Sequence, residues 1–231
     1  MTSRLLFLSI LIFGASASLR GQEKDTLWLN DEWYYSTDDT ASIVDLTKFL
    51  PGFFKNEALL KRYLRDDTFY DLRKTEGDTL AVDAIFDRAM LLADDDVEDA
   101  LWIATFAVMD HQKLGLRIPL IGSVYFPLTT ESDSLFRVRR TNLPKRVLSD
   151  KKQGSDKDKL QHFFGSALIA YISNSDSFTR MIGDLFEIGE DKFVLGGRND
   201  PRDKSANEKG REFGLALTKD KDILPSDILW K

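Results

Sequence analysis

The sequence predicts a mainly α protein: a helical N-terminal subdomain with some extended segments, followed by a C-terminal three-helix unit. Apolar residues recur at helical spacing through most of the chain, and Asp, Ser or Asp-Pro helix-start signals stand ahead of those stretches. The stretches that depart from this pattern, 27–35 and 115–140, are short.

The chain opens with Arg4, an apolar run over 5–14 and the small residues Ala15, Ser16 and Ala17. That order of positive start, apolar run and A-x-A site predicts a secretory signal over 1–17, cleaved after Ala17. The run is shorter than the roughly 20 residues needed to cross a bilayer. There is no cysteine, hence neither lipid attachment through a lipobox nor a disulfide. A mature chain of about 210 residues is long enough to hold its fold by its core alone.

Removal of the signal takes away one cation, Arg4, and moves the net charge from −6 to −7. An acidic chain with Lys and Arg dispersed along it argues against nucleic acid or an anionic membrane as the main partner. Export points instead to an envelope protein, glycan or lipid as partner, with no transmembrane span in the mature chain.

Residues 18–148 form the expected N-terminal subdomain. Leu27, Trp28 and Leu29, then Trp33, Tyr34 and Tyr35, read either as two short strands or as an aromatic strap. Over 42–64 the spacing is helical, and Pro51 and Gly52 break it into a short helix and a second one carrying Ala58, Leu59, Leu60 and Tyr63. Helices are expected over 80–92, with Ala84, Ile85, Ala89 and Leu92 inward, and over 97–109, started by Asp96 with Asp99 three residues on. Their short connection makes them antiparallel neighbours. Asp110, His111, Gln112 and Lys113 suit the exposed carbonyls at the end of the second, although Asp110 and His111 have an alternative place beside the C-terminal cluster. The prolines and β-branched residues of 115–140 suggest an irregular extended region or an edge hairpin.

A linker is expected at 149–157, then a helix from a Ser155/Asp158 capping pair to about Ile172, a second over 178 to about 193, and a third opened by Asp200 and Pro201 and ending near Leu217. On the first, Asp158 and His162 share a face with Gly165, Ser166 and Ile169. On the third, Asp203, Asn207, Gly210 and Gly214 make the matching stripe. Glu187 and Glu190 share a side of the middle helix. Small residues on facing helices allow a close crossing.

Packed together, these stripes would gather Asp158, His162, Glu187, Glu190, Asp203 and Asn207, with Arg198 and Arg202 at the rim. One imidazole among carboxylates has the donor chemistry of a divalent metal site, with Asp158, His162, Glu187 and Asp203 as ligands. It equally suits an acid/base set of His162, Glu187 and Asp203, with Asn207, Glu190 and Arg198 for binding. The structural alternative is that Asp158 and Asp203 steady helix starts while His162 and Asn207 are hydrogen-bonded between helices.

The run from Asp158 through His162, the lone Glu187, and the series Asp203, Asn207, Gly210 and Gly214 resemble the DKxxH, E and DxxxNxxGxxxG signatures of VanZ-like proteins and of small periplasmic lipoproteins of unknown function. The resemblance covers about a quarter of the chain, from Asp158 to Gly214, within a C-terminal subdomain expected over 158–231. It implies an envelope location and a polar seam between three helices, and it brings no settled reaction. This chain departs from the VanZ-like members in having no membrane-length apolar run there, and from the lipoproteins in lacking cysteine. Three functions are consistent with the whole: a periplasmic or secreted protein that binds or scaffolds a partner, a metal-dependent or acid/base hydrolase of an envelope glycan or lipid, or a small-molecule binder that uses the cleft without chemistry.

Overall fold

The computed structural model describes residues 52–118, 122–127, 129, 131–148, 156–175, 177 and 200–230. The fold is mainly helical. Its elements are α1 (Gly52–Arg65), α2 (Asp67–Glu76), α3 (Asp78–Leu92), α4 (Val97–Ala107), β1 (Lys113–Ile118), β2 (Gly122–Pro127), α5 (Asp133–Asn142), α6 (Lys157–Ser173), α7 (Pro201–Leu217) and the single turn α8 (Ser226–Leu229). Leu59–Lys231 form one compact unit, to which the following applies. The expected signal, the aromatic residues near Trp28 and Trp33, and the expected middle helix of the C-terminal unit lie outside the described residues.

Local chemistry explains most boundaries. Asp66 caps α2 by accepting from Thr68 N, and Asp96 caps α4 by accepting from Asp99 N at 3.0 Å, as the spacing of its two aspartates predicts. Gly77 ends α2 and begins α3 at φ 93°, a left-handed conformation in which a side chain is strained. Asp94 and Asp95 also have positive φ in the turn between α3 and α4, where short polar side chains tolerate it.

The edge hairpin expected after α4 is present as the antiparallel pair β1 and β2, with Leu114 opposite Phe126 and Leu116 opposite Val124. Two helices of more than one turn, α2 and α5, were not foreseen, nor was the single turn α8. In α2, DTFYDLRKTE buries only Phe69 and Arg73, and in α5, DSLFRVRRTN buries Arg139 and Asn142, so neither shows a broad apolar stripe. Both are recognisable by their caps, Asp66 and Ser132.

The core is aromatic where α3, α6 and α7 meet. The ring of Phe213 sits 5.1 Å from Phe86, edge on, and 5.3 Å from Phe163, stacked; Phe164 packs edge-on against Phe163. All four are fully buried. Within α3, Ile85 and Ala89 face inward as the spacing predicts, while Ala84 and Leu92 are only partly covered and Ala81, Val82 and Phe86 are buried in their place. Helix α4 packs on α6, where Gly165 meets the Thr105 methyl. Helices on both sides of residues 149–155 therefore share one core.

Candidate functional site

Helices α6 and α7 run parallel. Phe163 and Ala167 of α6 meet Gly210 and Gly214 of α7 in the same order, and Ser166 Oγ donates to Asn207 Oδ1 at 2.9 Å. A Cβ at either glycine would overlap the facing carbonyl, of Phe163 or of Ala167. The small residues thus do what a close crossing requires. Gly165 does not take part in it, since it faces α4.

Parallel packing brings two helix N-termini to the same end, where their dipoles favour negative charge. Four aspartates gather there with two cations between them. Lys159 Nζ lies 2.6 Å from Asp158, 2.6 Å from Asp203 and 2.9 Å from Asp200, and its side chain is 4% exposed. Burial opposes its charge, but the hydrogen bonds to the three carboxylates more than compensate and hold its pKa above the ordinary lysine value. Asp200 is held below the usual carboxylate range by the Arg202 backbone N–H and then by Lys159. His162 Nε2 stands 3.3 Å from the Asp203 oxygen that also meets Lys159.

A second ion pair closes the same end. Arg202 Nη2 reaches both oxygens of Asp156 at 2.6 and 2.7 Å, and Asp156 Oδ2 accepts from the backbone N–H groups of Val147 and Leu148. The start of α7 is thereby fixed to the turn after α5 and to the start of α6. Asp156 stands just before the first turn of α6 and Asp158 turns to Lys159, while Ser155 of the expected capping pair lies outside the described residues. Asp200 caps α7 as expected, accepting from Arg202 N.

Asp158, His162 and Asp203 are thus brought together, with Asn207 one turn further along. Glu187, Glu190 and Arg198 lie outside the described residues. Among the described residues there is no group of three or more His, Asp and Glu side chains arranged to hold a metal ion; an ammonium lies among the aspartates. Sequence reasoning missed Lys159, Asp156 and Asp200. Lys159 carries a signal, since it lies four residues before Phe163 and seven before Ser166, on the buried face of its helix.

His111 departs from its expected role. The carbonyls of Ala107 and Met109 at the end of α4 are taken by Arg139 Nη1, at 2.8 and 2.7 Å, from a helix 30 residues on. His111 instead places Nδ1 2.6 Å from Asp110, whose other oxygen faces Arg140 at 3.6 Å. That hydrogen bond raises the His111 pKa against the opposing effect of burial, and Asp158 adds to it, so this pair lies in the field of the cluster.

Comparison with protein-family models, with curated proteins and with solved structures finds no match. No described helix is long and apolar enough to cross a membrane.

Proposed function

We propose that this chain is an exported envelope protein, periplasmic or secreted, that binds or scaffolds an envelope partner, and that its VanZ-like polar pattern is a structural seam. One observation carries the reading of the seam: the buried Lys159 ammonium is already shared by Asp158, Asp200 and Asp203. Carboxylates engaged by an internal cation are poor metal ligands, because a divalent ion would have to displace a lysine they hold protonated. His162 and Asp203 are 15% and 12% exposed, which suits hydrogen-bonders between helices better than an open acid/base pair. The export part rests on the sequence of residues 1–17.

The test is fractionation of cells expressing the full chain, followed by mass measurement and crosslinking in the intact envelope. The expected outcome is a chain cleaved after Ala17, with a crosslinked adduct of one reproducible mass that persists in a folded His162→Ala variant. An uncleaved cytosolic chain, or one that forms no adduct, contradicts the proposal.

A further inference from the structure

Folding gathers cations that are dispersed along the sequence. The Asp78 carboxylate accepts from the backbone N–H groups of Lys145 and Arg146, at 3.1 and 2.9 Å, and its other oxygen faces Arg73 Nη1 at 3.5 Å. The Lys145 carbonyl in turn accepts from Asp156 N, the residue just before Lys157. An ion pair and backbone hydrogen bonds therefore bring Arg73, Lys145 and Asp156, next to Lys157, to one place, and α5, which carries Arg140, packs against α2, which carries Arg73.

Burial first, and then the charges of Arg140, Lys145 and Arg73, hold the Lys157 ammonium below its ordinary range, so the four cations act on one another. The acids in reach are committed elsewhere: Asp78 to Arg73 and two backbone N–H groups, Asp110 to His111 and Arg140, Asp156 to Arg202 and Asp158 to Lys159. Arg73 gives a second, independent sign. Its side chain is 8% exposed, yet its Nε is buried with no hydrogen-bond acceptor among the described residues. A buried guanidinium with one donor unpaired is costly, and an anion nearby offsets part of that cost through its charge.

We propose that Arg73, Arg140, Lys145 and Lys157, at the first turn of α6, form a binding site for a phosphoryl group. The chemistry fits a tetrahedral anion with several acceptor oxygens. Arg140, Lys145 and Lys157 reach solvent and supply charge around it, beside the buried Arg73 guanidinium. The site is separate from the Lys159 seam and does not depend on that reading. The phosphoryl group belongs either to a soluble phosphate compound or to the headgroup of an anionic lipid.

The experiment uses the full mature chain and two probes. Inorganic phosphate is titrated in thermal melts and calorimetry against sodium chloride of equal ionic strength, and vesicles of phosphatidylcholine with and without phosphatidylglycerol are used in co-sedimentation. The variants are Lys157→Gln with Arg140→Gln, both at partly or fully exposed positions, and separately Arg73→Gln, each verified as folded by circular dichroism.

Phosphate is expected to raise the wild-type melting temperature beyond the chloride control, and the double variant to weaken binding about tenfold or more. Vesicle binding that needs phosphatidylglycerol and is lost in the double variant assigns the group to a lipid headgroup. A phosphate response without vesicle binding assigns it to a soluble ligand. No response to either probe, or binding unchanged in the double variant, overturns the site. If Arg73→Gln does not fold, the double variant decides.

Discussion

Gly210 lies directly against the backbone carbonyl of Phe163, the absent side chain of one helix making room for the main chain of the other. The same relation recurs one turn later between Gly214 and Ala167, so the crossing of α6 and α7 has no slack at either point. Substituting Gly210→Ala or Gly214→Ala forces the helices apart and also disturbs the Phe163 and Phe213 packing beside them. Each is expected to destabilise by about 1–3 kcal/mol, and Leu at either position by more. Denaturant unfolding of the four variants checks this, and a wild-type midpoint in the alanine variants would contradict the close crossing.

Arg139 is the largest fully buried side chain in the described part of the protein, and its Nη1 bonds reach the end of a helix some 30 residues earlier in the sequence. Its Nη1 holds the end of α4 at Ala107 and Met109, while Nε and Nη2 hold Glu131, which also pairs with Arg65 of α1. The two ends of the β1–β2 hairpin are thereby fixed to the helices. Arg139→Met leaves Glu131 buried with fewer cations and two carbonyls without a donor, for an expected loss of about 3–5 kcal/mol. Arg139→Lys recovers only part of this, since the shorter lysine concentrates its donors at one point and does not reproduce the planar spread by which the guanidinium reaches the two carbonyls and the carboxylate. Calorimetric melting of both variants measures the difference.

Two groups make stability depend on pH in opposite directions. Burial pushes Glu131 up, but the Arg139 hydrogen bond and the charges of Arg139, Lys61 and Arg65 bring it below the ordinary carboxylate value. A carboxylate lowered in the folded state adds stability that is complete above its unfolded pKa of about 4.3 and is lost as pH falls through the lowered value. His111 is raised by its hydrogen bond to Asp110, so its contribution is complete below about pH 6.5 and is lost as pH rises through the folded value. Unfolding followed from about pH 3 to about pH 9 should show Glu131→Gln less sensitive on the acid side and His111→Gln flatter near neutrality. Wild-type slopes in both variants would contradict the assignment.

Much of this fold is legible in the sequence because helix starts are written in short-range chemistry. Asp96 with Asp99, and Asp200 with Pro201, mark α4 and α7 within a residue of their observed starts. The glycine stripe of α7 is legible for the same reason, since its spacing follows directly from the helical period. What the sequence does not show is which helix faces which. Gly165 reads as part of the α6–α7 crossing but lies against α4, and Arg139 caps a helix that ends some 30 residues earlier. Lys159 is hidden by convention: a lysine beside an aspartate reads as solvated surface, and only the arrival of Asp200 and Asp203 from α7 makes it a buried centre. Such pairings are tertiary and have no signature in a single chain.

Export is tested by mass alone. Protein recovered from the envelope or medium should begin at Ser18, lighter than the full chain by residues 1–17. An Arg4→Glu change, which removes the only cation ahead of the apolar run, is expected to slow processing, measurable as the ratio of precursor to mature chain in a pulse-chase experiment. Equal processing of both chains would contradict a signal role for this start.

The central claim is that the Asp158, Lys159, His162 and Asp203 cluster is a structural seam with its own internal cation. The most direct measurement is a set of thermal melts of the mature protein, purified without chelator, in zinc, manganese, magnesium, calcium and then chelator, beside His162→Ala. The account predicts no shift with any ion or with chelator, and a loss of about 1–3 kcal/mol in His162→Ala that is the same in every condition. A wild-type melting temperature that rises with one divalent ion, falls with chelator, and stops responding in His162→Ala would contradict it.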